Sequence, residues 1–344
     1  MKAAVLTGVR KVEVREIPNP LIRNDDDVLL RTVVAGLCGS DLHYFLTDRV
    51  GSEAVRYPAV VGHECSAVVE AVGPAVKRFK AGDRVAVEPS ISCGTCDQCR
   101  SGRPHTCRKV EFLGHPGERS GCLAEFFVMP ERNLFPVPEA MTMTEAMLVE
   151  PLSIALHARA LAGGMPGQSI GVLGTGPIGL LLIQVLKAEG RGDVYATDRS
   201  EARVAAAAAA GATWSGNPDR VDVVGEILKQ KPLGLDAVFE VSGDPAAIEQ
   251  AVELAKPGGW IYQVGIPLTE RVSYPMARVR RKELAFRYVR RQNQCVKRGL
   301  LLIETGHLDV AWLATHTFKI EEADRAFATA ADRTDGVLKA SIVF

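Results

Sequence analysis

The chain has 344 residues, with 41 Lys and Arg balancing 41 Asp and Glu, and is 47% hydrophobic and 24% charged. That is an ordinary globular composition, long enough for two domains and a large buried core. The charge balance argues against nucleic acid or an anionic membrane as partner.

The first residues, MKAAVLTGVRKVEVREIP, alternate and carry a charge every few positions, unlike the apolar core of a secretory signal. A reducing, cytoplasmic setting is therefore expected, and disulfides are the weaker reading of the eight cysteines. Up to about residue 135 the chain shows short β-rich runs broken by Gly, Pro and Asp, such as DVLLRTVVAG (27–36), CSAVVEAVG (65–73) and DRVAVEP (83–89). Two fragments in this region carry metal-binding residue types, GLCGSDLH (36–43) and VGHECS (61–66).

Residues 92–107, SCGTCDQCRSGRPHTC, hold Cys93, Cys96, Cys99 and Cys107 in the spacing C-x2-C-x2-C-x7-C. Four thiolates on one short loop can enclose a tetrahedral zinc with no open position, which makes a structural site. An iron–sulfur set needs a tighter last spacing and usually a proline after the last cysteine, whereas Arg108 follows Cys107. His105 could displace one cysteine, but it reads better as a solvated loop residue. A closed site does no chemistry, so a reaction centre must lie elsewhere.

A third fragment, LVEPLSIALH (148–157), adds Glu150. A lone Cys is usually a small core residue and a lone His-Glu pair usually lies on the surface. Together, however, Cys38, His63, Glu64 and Glu150 suit a zinc ion with a position left for water or substrate.

The uncharged stretch 160–186 is interrupted by glycines and two prolines, which favours strand, turn and helix over a membrane span. Within it GTGPIG, Gly174 to Gly179, follows a strand and opens a helix. Asp198 lies nineteen positions after the last glycine. Gly174 permits the tight turn, Gly176 lets backbone approach a pyrophosphate, and Gly179 lets the helix pack on the sheet. The helix N-terminus supplies N–H groups to phosphate, and Asp198 would accept the adenosine ribose hydroxyls and repel a 2′-phosphate. DVYATD (193–198), the alanine-rich SEARVAAAAAAGA, LDAVFEVSG (235–243), PAAIEQAVELAK and GGWIYQVGI (258–266) continue an alternation of strand and helix. That alternation means a doubly wound parallel sheet. After about 288 the chain is mixed and ends in GVLKASIVF, read as a strand that rejoins the first domain.

With these pieces in place, the chain resembles the zinc-dependent medium-chain alcohol dehydrogenases over essentially its whole length, through CGSD, GHE, the four cysteines and GTGPIG. CGSDLHY, VEPLSIALHA and FRYVRRQN (286–293) resemble the polyol (sorbitol/L-iditol, xylitol) dehydrogenase branch. The resemblance implies an α/β protein with a GroES-like β-rich catalytic domain, residues 1–151 and 289–344, and a Rossmann NAD-binding domain, residues 152–288. It implies two zinc ions per chain, one held by the four cysteines and a catalytic one on Cys38, His63 and Glu64. Glu150 stands beside the catalytic ion, as a direct or a water-mediated ligand. Tyr44, Glu150, Arg287 and Tyr288 would line the polyol site. Pro177, Ile178, Arg203, Val264, Ile266 and Arg287 would join the three glycines and Asp198 around NAD.

The implied reaction oxidises a secondary hydroxyl to a ketose. The metal lowers the hydroxyl's pKa, Ser40 and His43 relay the proton, and hydride passes to the nicotinamide. For Ser40 and His43 the bland alternatives are a capping serine and a surface histidine. An L-threonine dehydrogenase and a non-catalytic zinc-binding member of the fold are the competing readings. Residues 111–121 and 46–58 do not match typical sorbitol dehydrogenases, and both are expected to border the site. Cys65, Cys122 and Cys295 remain as reduced core or surface thiols. The family also suggests a homotetramer.

Overall fold

The computed structural model describes residues 1–50, 53–163, 168–190 and 192–344. Residues 51–52 of the segment 46–58, and 164–167 of the uncharged stretch, lie outside the described residues. The backbone divides into two compact units, Met1–Ser153 with Asn293–Phe344, and Ile154–Gln292.

The first unit is built on a seven-stranded, mostly antiparallel sheet. Strand Asp27–Gly36 pairs along one edge with Glu64–Val72. Its other edge is shared by Phe126–Pro130, against residues 27–31, and Ala340–Val343, against residues 34–36. Arg84–Val87 and Leu134–Pro136 extend the sheet on one side, and His316–Lys319 lies parallel to Ala340–Val343 on the other. Val28, Leu30, Val69, Val85 and Met129 of the sheet are buried in the core. The register between Asp27–Gly36 and Glu64–Val72 shifts twice, at Leu29/Leu30 and Thr32/Val34. Such bulges re-aim the ends of strands. The outcome is that Gly36 faces Glu64, so Cys38, two residues beyond one strand, emerges beside His63 and Glu64, at the start of the next.

The second unit is a six-stranded, all-parallel sheet in the order Trp214–Gly216, Val194–Thr197, Ile170–Leu173, Leu235–Glu240, Ala255–Gln263, Ala285–Tyr288. The central strands are buried along their length, as parallel strands covered on both faces must be. The chain winds outward from Ile170–Leu173 in one direction and then returns to start again at Leu235–Glu240. This is the Rossmann arrangement, with its ligand crevice at the carboxyl ends where the order reverses. The alanine run forms helix Glu201–Ala209, and the uncharged stretch supplies strand Ile170–Leu173 and helix Pro177–Ala188. Among the described residues no helix is long and apolar enough to cross a membrane.

Candidate active site

Cys38 is the N-cap of helix Gly39–Thr47, and Asp41 is that helix's third residue. The Asp41 carboxylate accepts the Cys38 N–H at 2.9 Å and the Gly62 N–H at 3.2 Å, and lies 3.7 Å from His63 Nδ1. One buried side chain thus fixes both segments that carry the candidate ligands and faces the ring nitrogen that sets the imidazole's orientation. Gly62 has φ +98°, and a Cβ there would stand 2.6 Å from Leu123 Cγ, so only glycine fits before His63. Ligand atoms of Cys38, His63 and Glu64 lie within 4.8 Å of one another. Ser40 is the second residue of the helix that Cys38 caps, and the Phe112 ring packs 4.9 Å from that of His63.

Around this cluster the charges are unbalanced. Burial, then the Glu64 and Asp41 carboxylates, push the Cys38 thiol up to about 12. Burial raises Asp41, and burial with Glu64, Cys38 and Glu88 nearby raises Glu150 well above the usual carboxylate range. Glu150 is buried and feels the cluster electrostatically, but it is not among the three residues that converge within 4.8 Å. Lys339, 2% exposed, supplies a cation: its Nζ bonds the Leu37 carbonyl at 2.9 Å and pairs with Glu64. Sulfur, nitrogen and oxygen donors with this excess of negative charge fit a divalent cation of zinc's borderline softness.

The four-cysteine loop is a separate centre. Sγ–Sγ separations are 4.0 Å for Cys93–Cys99, 3.6 Å for Cys96–Cys99 and 3.9 Å for Cys96–Cys107. Zinc–sulfur bonds of about 2.3 Å in a tetrahedron require edges of about 3.8 Å. Backbone N–H groups of Thr95 and Cys96 hold the Cys93 thiol down at about 5, whereas desolvation and the neighbouring thiols push Cys99 up to about 11. The Cys93 and Lys109 N–H groups each bond Cys107 Sγ at 3.3 Å. Arg108 clamps Asp97 at 2.6 and 2.9 Å on the rim. His105 is a correction to the sequence reading. It is 6% exposed, because the proline-led turn Pro104–Thr106 folds it inward, and it stays outside the four-sulfur set.

In the second unit, Gly174 has φ +98° and a Cβ there would lie 2.6 Å from the Ser242 nitrogen, while a Cβ on Gly179 would lie 2.1 Å from the Gly174 carbonyl. At Gly176 the nearest atom is the Arg203 guanidinium at 3.7 Å, which leaves that face of the turn open. Helix Pro177–Ala188 starts there with proline in its first turn and no side-chain cap, so the N–H groups of Ile178 and Gly179 are oriented for an anion. Asp198 is buried, its Oδ2 accepting the Thr175 N–H at 2.8 Å and its Oδ1 that of Ser200 at 2.9 Å. Arg199, the neighbour that could serve a 2′-phosphate, is tied to Asp219 at 2.8 Å and lies 3.7 Å from Asp244. The Val264 N–H bonds the Glu240 carbonyl at 2.8 Å, and Ile266 is half exposed. Arg287 lies over the Trp260 ring and bonds the Leu161 carbonyl at 3.0 Å, and the exposed Tyr288 hydroxyl is 3.1 Å from that of Tyr274. Tyr44, in the first unit, is buried, and its carbonyl accepts the Tyr57 hydroxyl at 2.9 Å.

The segment 111–121 does border the first cluster. Phe112 meets His63, and His115 stands edge-on to Tyr44 with centroids 6.4 Å apart. His43 is half-buried with no hydrogen-bond partner at Nδ1 among the described residues, and burial lowers its pKa. Cys65, Cys122 and Cys295 are buried and form no disulfide among the described residues. Asp41 and Lys339 are the residues that sequence reasoning did not single out.

A mixed-donor metal cluster, a closed four-sulfur loop and a dinucleotide crevice in one chain define a metal-dependent dehydrogenase. Residues 24–139 match the alcohol dehydrogenase GroES-like domain, and residues 177–304 the zinc-binding dehydrogenase domain. The chain belongs to the zinc-binding alcohol dehydrogenase family and is an oxidoreductase. It is 34% identical over 343 residues to a sorbitol dehydrogenase of Bacillus subtilis (strain 168), covering 99% of this chain and 97% of that one. It is 36% identical over 332 residues to D-xylulose reductase A of Aspergillus niger, covering 94% and 91%. Among solved structures, a candidate zinc-binding dehydrogenase from Sinorhizobium meliloti 1021 bound to NADP matches with TM-score 0.90 and 29% identity, covering 100% and 99%. An alcohol dehydrogenase from Escherichia coli CFT073 complexed with NADH matches with TM-score 0.89 and 29% identity, again covering 100% and 99%.

Proposed function

We propose that this protein oxidises a polyol at a secondary hydroxyl to a ketose, using zinc and NAD. The observation that carries the reading is the convergence of Cys38, His63 and Glu64 in a largely buried cluster rich in acidic groups, in a chain that also folds a dinucleotide crevice. Relatives named for sorbitol and D-xylulose support a polyol–ketose pair. Both donor sets fit zinc: the sulfur spacings fit a closed structural ion, and the three-residue mixed set leaves a fourth coordination position for water or substrate. When bound, zinc supplies a Lewis acid that acidifies the substrate hydroxyl, and the dinucleotide supplies the hydride acceptor.

The chain's own residues do the remainder. Asp41 orients His63 and the Cys38 backbone, and Lys339 balances Glu64. In this reading Ser40, two residues after Cys38 at the start of the same helix, takes the proton first, and His43, held neutral by burial, receives it next. Carboxylates rather than thiolates around the metal favour a hydroxyl-rich substrate, with Tyr44 of the same unit as a further donor. For the cofactor, the related folds carry NADP or NADH, so the choice falls to the ribose end. There Asp198 is acidic and Arg199 is already paired with carboxylates, which favours NAD.

The test is NADH formation over a panel of polyols, simple secondary alcohols and L-threonine, with zinc counted per chain. Polyols should be preferred by orders of magnitude, because a site built to bond hydroxyls rejects analogues that lack them. Preferred turnover of L-threonine or 2-propanol would overturn the substrate class. A zinc-binding chain inert on the whole panel would overturn the enzyme reading.

A further inference from the structure

Strand Leu235–Glu240 ends in a carboxylate that the chemistry above does not use. Glu240 is fully buried, and burial raises its pKa against the pull of the donors around it. Its Oε1 accepts the N–H of Ser242 at 2.7 Å, the N–H of Gly243 at 2.9 Å and the Ser242 hydroxyl. Its Oε2 accepts from the Gln263 amide, and a Cβ on Gly265 would stand 2.8 Å from it. Its backbone carbonyl takes the N–H groups of Val264 at 2.8 Å and Gly265 at 3.0 Å.

One residue therefore ties segment 241–243 to segment 264–266. The two are in backbone contact, since a Cβ on Gly243 would lie 2.4 Å from the Ile266 carbonyl. Both segments leave the carboxyl ends of neighbouring strands, on the far side of the order reversal from Asp198. The first also packs its Ser242 nitrogen against Gly174 of the phosphate turn. With Asp198 at the adenosine ribose and the glycine turn at the pyrophosphate, these segments form the wall left for the nicotinamide half.

We infer that Glu240 is a positioning residue of the cofactor crevice, fixing the two loops that receive the nicotinamide half of the dinucleotide. The inference rests on the dinucleotide reading above. Gln263 supplies the means of testing it. Its Nε2 serves both Glu240 and the Gly265 carbonyl, at 3.1 Å for the latter, whereas its Oε1 is buried with no hydrogen-bond partner among the described residues. In Glu240→Gln the new amide can donate to that oxygen once the Gln263 amide turns over, at the cost of the single bond to the Gly265 carbonyl, and an acceptor remains for Ser242 and Gly243. In Glu240→Leu those donors lose their acceptor together.

The experiment uses the full-length, zinc-loaded protein. NADH binding is read by fluorescence, KM for NAD and kcat are read at saturating polyol, and zinc content and melting temperature are measured alongside. Glu240→Leu should raise the NADH Kd and the KM for NAD by about tenfold or more, leave kcat at saturating NAD within about threefold, and keep its zinc. Glu240→Gln should stay within about threefold of wild type in each. If Glu240→Leu does not fold, Gln263→Leu replaces it, with a smaller rise in Kd and KM expected. A folded Glu240→Leu or Gln263→Leu with wild-type Kd, or a Glu240→Gln as impaired as Glu240→Leu, would overturn the inference alone. A wild-type protein that binds no dinucleotide would overturn the cofactor reading and this inference with it.

Discussion

Lys339→Met removes the cation facing Glu64 while nearly preserving side-chain length. The two side chains are 2% and 3% exposed, so salt and water screen the pair little. Taking away one partner of a buried pair leaves an uncompensated charge, a cost of about 3–5 kcal/mol. The lost bond to the Leu37 carbonyl adds about 1 kcal/mol. At about 2–4 °C per kcal/mol for a unit of this size, the combined loss of about 4–6 kcal/mol should make metal-free protein melt about 8–24 °C lower than wild type. Zinc should narrow that gap, because a bound divalent ion gives the stranded carboxylate a new partner. The assay is thermal melting at neutral pH, with and without chelator, extended to a double-mutant cycle with Glu64→Gln. If the pair is coupled, Glu64→Gln/Lys339→Met should lose much less than the sum of the single losses. Additive losses, or a metal-free Lys339→Met melting within about 2 °C of wild type, would refute the reasoning.

Three further outcomes follow from the geometry. Cys96→Ser should bring zinc to about one per chain and lower the melting temperature while the remaining ion still supports turnover; activity lost at full metal content and stability would contradict a structural loop. Asp198→Ala frees the Thr175 and Ser200 N–H groups and removes the charge opposing a 2′-phosphate, so kcat/KM with NAD should fall about tenfold or more while the ratio for NADP over NAD rises; equal losses with both cofactors would disprove the role. Burial holds His43 below 6.5, so its imidazole is neutral at pH 7, and both its capacity to accept a proton and its contribution to stability decline only as pH falls from 6.5 through the lower folded value. His43→Gln should lower kcat and erase that acid limb, and an unchanged pH profile would remove His43 from the relay.

What the sequence made legible is what local chemistry encodes. Four cysteines within sixteen residues need no tertiary information to be read as a closed metal loop, and strand, glycine turn and helix are contiguous around Gly174. Cys38 and Asp41 were legible in principle as well. They sit three apart at a helix start, the spacing of a capping box, with a thiol in place of the usual hydroxyl. Lys339 and Glu240 carry no such local signal. Lys339 comes from a position 302 residues beyond Leu37, and only the pairing of the C-terminal strand with Asp27–Gly36 brings it to Glu64. Glu240 looks like a polar strand end until the parallel sheet sets Gln263 beside it. His105 failed for the opposite reason, since a polar composition suggests a wet loop whereas a proline-led turn buries the ring. The segment 111–121 lies between these cases. Its departure from the polyol pattern was visible, but its reach to the metal residues depends on glycine. A Cβ on Gly114 would stand 2.4 Å from the Gly62 carbonyl, so the two backbones touch only because residue 114 has no side chain. That contact lets Phe112 lie against His63 and His115 against Tyr44. Differences in substrate preference from the sorbitol-type relatives are therefore expected to map to this turn, where sequence divergence and contact with the metal residues coincide.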